Sequence, residues 1–303
     1  MKLAIDALIE GIERMGNPTA VGLDTQLAHL PEGFAGKVES FADAADALLR
    51  YNKALVDALC GIVPCAKVQI AYYEMYGVPG MQAFRETIDY AKAKGMVVIA
   101  DAKRNDIGAT ASAYANAYLG ETPLGEKAGS AFPVDFVTVN AYLGLDGVEP
   151  FRKASAVRGG GIFALVKTSN PSSGEFQDRL IDGRPLYELV AEKVVEWGSA
   201  SMDGAYSNVG AVVGATYPEM SKVLRKLMPH TYFLVPGYGA QGGTAEDLRH
   251  CFNEDGLGAV VNSSRGIIAA YKQEKYAKFG AEHFGEASRQ AVIDMVSDIN
   301  SVL

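Results

Sequence analysis

The chain has 303 residues, a length that allows either one large α/β barrel or two ordinary domains. Hydrophobic residues make up 49% of it and charged residues 21%, which is typical of a protein with a sizeable core. The formal net charge of −8 argues against broad binding to nucleic acids or acidic membranes, although a local site could still hold a single phosphate.

The cysteines and the N-terminus indicate the compartment. Cys60, Cys65 and Cys251 are an odd number without a Cys-x-x-Cys pair, which is poor material for a disulfide framework or a zinc site. The first ten residues are too charged for a secretory signal and are typical of an amphipathic helix. No apolar run approaches membrane-spanning length. We therefore expect a cytoplasmic protein with free thiols that does not bind a membrane.

Short apolar segments alternate with helical patterns along the chain. The predicted strands are residues 19–24, 66–70, 95–100, 134–140, 161–167, 208–214, 231–235 and 258–262. The predicted helices between them include residues 41–59, 81–94, 107–115, 186–197 and 219–227. Strands that alternate with helices imply right-handed crossovers and a parallel sheet.

Eight such units fit a (β/α)8 TIM barrel best, as a single α/β domain that spans residues 1–303. A doubly wound open sheet is the alternative, but no Gly-x-Gly-x-x-Gly motif follows the first predicted strand. No stretch rich in Pro, Gly and Ser is long enough to separate two domains.

The segment Asp101-Ala-Lys103-Arg-Asn-Asp106 follows the third predicted strand. Because strand side chains alternate, Asp101 and Lys103 point the same way, and Asp106 lies where the chain turns toward the next helix. Two carboxylates and an ammonium group at the open end of an apolar strand are costly and indicate a function. The alternative is a helix cap at Asp106 and a surface ion pair.

Polar side chains cluster where the predicted strands end. They are Asp24, Lys67, Asp101, Lys103, Thr138, Asn140, Lys167, Ser169 and Arg265. The active sites of (β/α)8 barrels lie at the C-terminal ends of the strands, and scattered surface polarity would not select these positions. The pattern therefore predicts an active site at this end of the barrel.

Two glycine-rich loops follow the seventh and eighth predicted strands, where such barrels usually bind phosphate. The first contains Pro236, Gly237 and Gln241, and the second contains Ser264 and Arg265. Glycines let backbone N–H groups approach phosphate oxygens, a helix N-terminus adds a favourable dipole, and an arginine can bind bidentately. The alternative is a pair of ordinary turns with a solvated arginine.

The longest polar segment, residues 168–185, follows the fifth predicted strand. It lies on the face where the active site is expected. Both a mobile lid and a disordered surface loop are open at this point.

These motifs together resemble the orotidine 5′-phosphate decarboxylase family, in particular its longer-chain branch, over nearly the whole chain. The segment Asp101-x-Lys103-x-x-Asp106-Ile is similar to the family's Asp-x-Lys-x-x-Asp-Ile signature, and Lys67 to its other active-site lysine. The remaining matches to the family are Asp24 for the ribose, the segment with Thr168 and Ser169 for the pyrimidine, and Pro236, Gly237, Gln241, Ser264 and Arg265 for the phosphate.

The resemblance implies decarboxylation of orotidine 5′-monophosphate to UMP and CO2, with Lys103 as the proton donor to C6 and no metal or organic cofactor. It also implies a homodimer with shared sites. Asp106 and Thr110 would complete the active site of the neighbouring subunit, whereas Lys67, Asp101 and Lys103 would act in the active site of their own subunit. The four histidines, His29, His230, His250 and His283, are scattered without metal-ligand spacing.

Two other functions remain as alternatives. A Schiff-base aldolase would use Lys103 or Lys167 as its nucleophile, but such a lysine needs apolar or cationic surroundings, and Lys103 lies between two acids. A barrel that only binds or senses nucleotide monophosphates would keep the phosphate loops and lose the charged residues of the active site. All four of these charged residues are present here, namely Lys67, Asp101, Lys103 and Asp106.

Overall fold

A computed structural model describes residues 2–202, 204–239 and 242–303 of the chain. Eight parallel strands close into a barrel, each hydrogen-bonded to its neighbours in chain order. The strands are β1 (Thr19–Leu23), β2 (Cys65–Gln69), β3 (Val97–Arg104), β4 (Phe136–Val139), β5 (Gly161–Lys167), β6 (Ser207–Val213), β7 (Thr231–Val235) and β8 (Ala259–Ser263). The predicted (β/α)8 fold is confirmed.

Helices cover the outside of the barrel. The α-helices in the described ranges are α1 (Ala4–Met15), α2 (Phe41–Leu59), α3 (Ala71–Glu74), α4 (Gly77–Ala93), α5 (Gly108–Tyr118), α6 (Leu145–Arg158), α7 (Leu186–Gly198), α8 (Pro218–Leu227), α9 (Ala245–Leu248), α10 (Arg265–Ile268) and α11 (Phe284–Asn300). None of them combines the length and apolar character needed to cross a membrane.

Helix α1 closes the N-terminal end of the barrel. Its buried residues Ile5, Leu8 and Ile12 pack in one cluster with side chains of the barrel interior such as Phe136 and Tyr232. The apolar face of this amphipathic helix therefore covers the end of the barrel opposite the predicted site.

Side-chain alternation along the strands separates two core layers. On β7, Tyr232 and Leu234 point into the barrel, while Phe233 and Val235 pack against the surrounding helices. The interior layer is filled with side chains at the N-terminal end, so the barrel is a packed core there and opens only at the C-terminal end of the strands.

Residues 168–185 contain a 3-10 helix, Pro171–Glu175, and a short antiparallel hairpin that pairs Leu180–Ile181 with Arg184–Pro185. Asp182 and Gly183 form the hairpin turn with φ of 51° and 81°. This Asp-Gly pair is the sequence that a tight hairpin turn with two positive φ angles favours. The segment is thus built from regular turns, and its predicted role as a mobile lid stays a prediction.

Candidate active site

A cavity of about 850 Å³ lies at the C-terminal end of the strands and is lined by residues from the loops around the barrel mouth. Ten of the thirteen residues predicted from the sequence line it. These are Asp24, Lys67, Asp101, Lys103, Thr168, Ser169, Pro236, Gly237, Ser264 and Arg265. The alternation of strand side chains accounts for this convergence, because Asp24, Lys67 and Asp101 all occupy inward-facing positions.

The other three predicted residues have different outcomes. Asp106 and Thr110 do not line this cavity. The Oδ1 atom of Asp106 accepts a hydrogen bond from the backbone N–H of Ile107, which is the residue that precedes α5. Asp106 is therefore not the N-cap of α5, and this part of the alternative interpretation was wrong. Gln241 lies outside the described residues.

Asp101 is the centre of the charged part of the site. Its Oδ1 accepts from Lys103 Nζ at 2.5 Å and from Thr138 Oγ1 at 3.0 Å. Its Oδ2 accepts from Lys67 Nζ at 3.1 Å and from Gln69 Nε2 at 2.8 Å. Burial would raise the pKa of Asp101, yet the ammonium groups of Lys67 and Lys103 lower it to about 2. Asp101 is thus a buried, ionised carboxylate and not part of a surface ion pair.

Lys67 is buried and bridges two carboxylates, since its Nζ also donates to Asp24 Oδ1 at 2.9 Å. Burial alone lowers the pKa of Lys67, but the negative charges of Asp24 and Asp101 outweigh it and hold the pKa above its ordinary value. Lys67 therefore stays charged and balances the two acids.

The end of β3 departs from regular strand geometry. The register between β3 and β4 shifts between Ala100 and Arg104, and Lys103 has a left-handed φ of 48°. The backbone N–H groups of Ala102 and Lys103 donate to the hydroxyl of Thr138 at 3.0 and 2.9 Å. Thr138 takes both donors and donates its own proton to Asp101, so its hydroxyl fixes the position of Lys103.

A continuous chain of hydrogen bonds joins the β8 loop to Lys103. Ser264 Oγ donates to Asp24 Oδ2 at 2.8 Å, and Asp24 continues through Lys67 and Asp101 to Lys103. Gly22 makes room for this contact, because a Cβ atom at this position would lie 1.9 Å from Ser264 Oγ. Hydrogen bonds therefore connect the β8 side of the cavity, at Ser264, with its β3 side, at Lys103.

The β5 side of the cavity presents hydroxyl and amide groups. The amide of Gln177 forms two hydrogen bonds with Thr168, since its Oε1 accepts from the backbone N–H at 2.9 Å and its Nε2 donates to Oγ1 at 2.8 Å. Ser169 and Asn170 lie beside this pair on the cavity wall. Such groups can recognise the carbonyl and N–H edge of a planar ring.

The segment after β8 carries positive charge at this end of the cavity, from Arg265 and, further along the chain, Lys272. Arg265 is exposed and has no ion-pair partner within residues 2–202, 204–239 and 242–303. The pKa of His29, on the same wall, is lowered by partial burial and then by the charges of Lys272 and Arg265. Gly237 has a φ of 106°, a backbone conformation that only glycine adopts readily. Helix α10 is one turn long, so its dipole contributes less than the predicted helix N-terminus would.

Two polar residues at predicted strand ends do not join the site. Lys167 is fully buried away from the cavity, and Asn140 Oδ1 accepts from the backbone N–H of Tyr142. For Lys167 the cause is a register shift between β5 and β6, where Val212 pairs with Leu165 and Val213 pairs with Lys167. The extra residue in β5 turns Lys167 to the outside of the barrel.

The sequence interpretation gave no role to several cavity residues. Thr138 was named among the polar residues at the strand ends but was given no role. Gln69 and Asn262 occupy inward-facing positions next to predicted residues. Strand alternation was the signal that could have found them, because each lies two residues from another inward-facing position. Gln177 had no comparable signal, since its place depends on the turn within residues 168–185.

Within the described ranges, no group of three or more His, Cys, Asp or Glu side chains has the arrangement of a metal site. The independence from metals and cofactors stays a prediction.

The fold and the site define a class of protein: a (β/α)8 barrel with a lysine–carboxylate network at the strand ends and an exposed arginine in the loop after β8. A family model described as "Orotidine 5′-phosphate decarboxylase / HUMPS family" matches residues 21–279. The chain belongs to this family.

Individual relatives agree with this assignment. The chain is 47% identical over 288 residues to an orotidine 5′-phosphate decarboxylase of Rhodopirellula baltica, covering 94% of each protein. It is 43% identical over 280 residues to one of Caldicellulosiruptor bescii, covering 90% of this chain and 92% of that protein. The solved structure of Leishmania donovani OMP decarboxylase matches with a TM-score of 0.77 and 29% identity over 99% of both chains. The predicted family is confirmed, and its longer-chain branch stays a prediction.

Proposed function

We propose that this chain is a lyase that converts orotidine 5′-monophosphate into UMP and CO2. The observation that carries the proposal is the chain of contacts from Asp24 through Lys67 and Asp101 to Lys103, which faces a cavity large enough for a nucleotide. The names of the relatives support the same substrate.

The chemical step uses Lys103. The bond between C6 of the pyrimidine and its carboxylate carbon breaks, CO2 leaves, and the electron pair stays on C6. The ammonium group of Lys103 stabilises this charge and gives its proton to C6, which yields UMP. Lys103 is then a neutral amine and regains a proton from water.

The surrounding charges prepare Lys103 for this step. The Nζ atom of Lys103 donates to Asp101 Oδ1 at 2.5 Å, which fixes its position, and Lys67 offsets the negative charge of Asp101 and Asp24. Because these groups are already fixed by hydrogen bonds, little reorganisation is needed when charge develops at C6. The carboxylate beside Lys103 argues against a Schiff-base aldolase, whose nucleophilic lysine needs apolar or cationic surroundings.

The loops around the mouth would hold the rest of the nucleotide. We assign the phosphate to Arg265 with Ser264, Pro236, Gly237 and Gln241, and the ribose to Asp24. Arg265 is exposed at the mouth and free to bind bidentately, whereas Thr168 and Ser169 offer hydroxyl groups to the ring. Binding energy from the phosphate, which is remote from C6, can then contribute to the transition state.

The site is completed by a second copy of the chain in this proposal. Asp106 and Thr110 match the family motif but do not line the chain's own cavity. Exposed apolar side chains accompany them in the loops after β3 and β4 and in the helices α5 and α6 that follow. They are Ile107, Tyr114, Tyr142, Leu143 and Leu145. A homodimer through this surface would bury these side chains and bring Asp106 of one copy to Lys103 of the other.

Mixing two inactive variants tests the shared site. When Lys103→Ala and Asp106→Ala proteins are unfolded together and refolded, half of the mixed dimers' sites contain both native residues, so activity should return. Activity that stays absent in a mixture shown to contain dimers would contradict the shared site.

The ultraviolet change when the protein meets orotidine 5′-monophosphate tests the function itself, with and without a chelator. Conversion to UMP that is unaffected by the chelator is the expected result. Tight UMP binding without conversion would instead favour a nucleotide-binding or sensing barrel.

A further inference from the structure

Lys167 is a buried cation that the proposed reaction does not use. None of its surface is exposed, and its Nζ donates to Ser173 Oγ at 3.0 Å and to Asp178 Oδ1 at 2.7 Å. The ring of Tyr217 lies 4.6 Å from Nζ, within cation–π distance. Lys167 is therefore fully coordinated on the outer side of the barrel wall, behind the cavity.

Both hydrogen-bond partners of Lys167 lie in the segment that forms the β5 wall of the cavity. Asp178 directly follows Gln177, whose side-chain amide forms two hydrogen bonds with Thr168. Ser173 lies in the 3-10 helix between Thr168 and Gln177. A single ammonium group thus ties the start of this segment, at the end of β5, to its far side at Asp178.

The start of the same segment is also fixed in position. Gly214 N donates to Lys167 O at 2.8 Å, and a Cβ atom at Gly214 would lie 2.8 Å from Cα, Cβ and N of Ser169. The close approach of these two backbones leaves the segment little freedom near Ser169. If this segment can move, its movement would be greatest at its far side, where Asp178 is held by Lys167.

Burying a lysine is costly, and an apolar side chain would fill the same space without that cost. The cost is understandable if the fixed distance between Lys167 and Asp178 is what places Gln177. Asp178 is partly exposed, with 39% of its side chain accessible, so it would be hydrated and free to move without this lysine.

We propose that Lys167 is a positioning residue that sets the selectivity of the cavity for the pyrimidine ring by holding Gln177 and Thr168 in their mutual hydrogen bonds. This inference rests on the proposed function, since it takes the β5 wall as the side that contacts the ring. It does not involve the phosphate end of the cavity.

The affinities of UMP and of ribose 5-phosphate, which lacks the ring, test this inference by titration calorimetry. In Lys167→Met, UMP should bind about tenfold more weakly, as expected when about one well-placed hydrogen bond to the ring is lost. Ribose 5-phosphate should bind within about twofold of the parent value. A general loss of structure would weaken both ligands together.

Lys92→Met is the matched control, because Lys92 forms a half-buried ion pair with Asp135 at 2.5 Å that lies away from the cavity. Its ratio of UMP to ribose 5-phosphate affinity should equal the parent ratio. If Lys167→Met does not fold, Ser173→Ala removes one acceptor of the same ammonium group without removing a charge, and its ratio should fall about threefold.

An unchanged ratio in a folded Lys167 or Ser173 variant, with a parent that converts orotidine 5′-monophosphate, would overturn this inference alone. A parent that neither converts the substrate nor binds UMP would overturn the proposed function and this inference with it.

Discussion

The two halves of the barrel mouth differ in polarity although they line the same cavity. The cavity-lining residues at the ends of β8 and β1 to β4 are polar or charged, namely Asn262, Asp24 (directly after β1), Lys67, Asp101 and Thr138. The cavity-lining residues within β5 to β7 are apolar, namely Leu165, Val212 and Leu234.

The difference places charged groups and apolar side chains on opposite sides of one cavity. The central carboxylate of the charged half, Asp101, is satisfied by four donors. The side chains of Leu165, Val212 and Leu234 offer no hydrogen bonds and lower the local polarity, which strengthens the electrostatic interactions across the cavity. It also gives a flat ring a surface to lie against. The charged half would then carry out the reaction, and the apolar half would position the ring of the substrate.

Removing the amine of the charged half should have the largest effect. We expect Lys103→Ala to lower the rate of UMP formation below about a thousandth of the parent rate, because both charge stabilisation and the proton donor are lost. The thermal unfolding temperature should change little, since Lys103 is nearly half exposed. The ultraviolet assay and a thermal melt measure the two quantities.

Lys94→Ala is the control for this variant, because Lys94 forms an exposed ion pair with Asp57 at 2.6 Å outside the cavity. Its rate should stay at the parent level. A rate of Lys103→Ala above a thousandth of the parent rate would contradict the role of Lys103 as proton donor.

An isosteric change on the charged half should come second. Thr138→Val keeps the shape but leaves the N–H groups of Ala102 and Lys103 without their acceptor. Each buried unsatisfied donor costs about 1–3 kcal/mol, and the left-handed backbone at Lys103 loses its support. We expect kcat to fall roughly ten- to a hundredfold, with a smaller change in KM, measured by steady-state kinetics. An unchanged kcat would show that the hydroxyl does not position Lys103.

The low pKa of Asp101 predicts how stability changes in acid. A carboxyl group with a pKa of about 2 when folded and 3.8 when unfolded stabilises the fold above pH 4, and this contribution is lost as the pH falls toward 2. It amounts to about 2 kcal/mol. Urea unfolding at pH 5, 4, 3 and 2 should therefore show a shallower loss of unfolding free energy in Asp101→Asn than in the parent. Parallel curves for the two proteins would argue against an ionised, lysine-bound Asp101.

The same comparison shows what the sequence could predict. The strand positions followed from short apolar runs, and the convergence of Asp24, Lys67 and Asp101 followed from side-chain alternation within each strand. Both are local properties of the chain, which is why the fold was predicted correctly and these three side chains were expected to lie together, while their roles stay predictions.

Departures from regular geometry could not be predicted in this way. The extra residue in β5 reverses the direction of Lys167, and the register shift at the end of β3 creates the role of Thr138. Both depend on how neighbouring strands pair, which a single segment does not encode. Helix α4 begins at Gly77, four residues before its predicted start. Pro79 is tolerated there because it lies in the first turn, where backbone N–H groups make no hydrogen bond within the helix. The position of Asp106 relative to Lys103 needs a second chain and stays a prediction.

The smallest effect is expected from the reverse isosteric change on the apolar half. Val212→Thr places a hydroxyl group where Leu165 and Leu234 are the neighbouring inward-facing residues. If a ring lies against this half, the hydroxyl loses its contact with water when the substrate binds, which costs about 1 kcal/mol. We expect kcat/KM for orotidine 5′-monophosphate to fall about fivefold. The affinity for inorganic phosphate should be unchanged, because the phosphate loops after β7 and β8 are untouched. A fall as large as that of Thr138→Val would mean that both halves carry the chemistry, and the division between a charged half for reaction and an apolar half for placement would then be wrong.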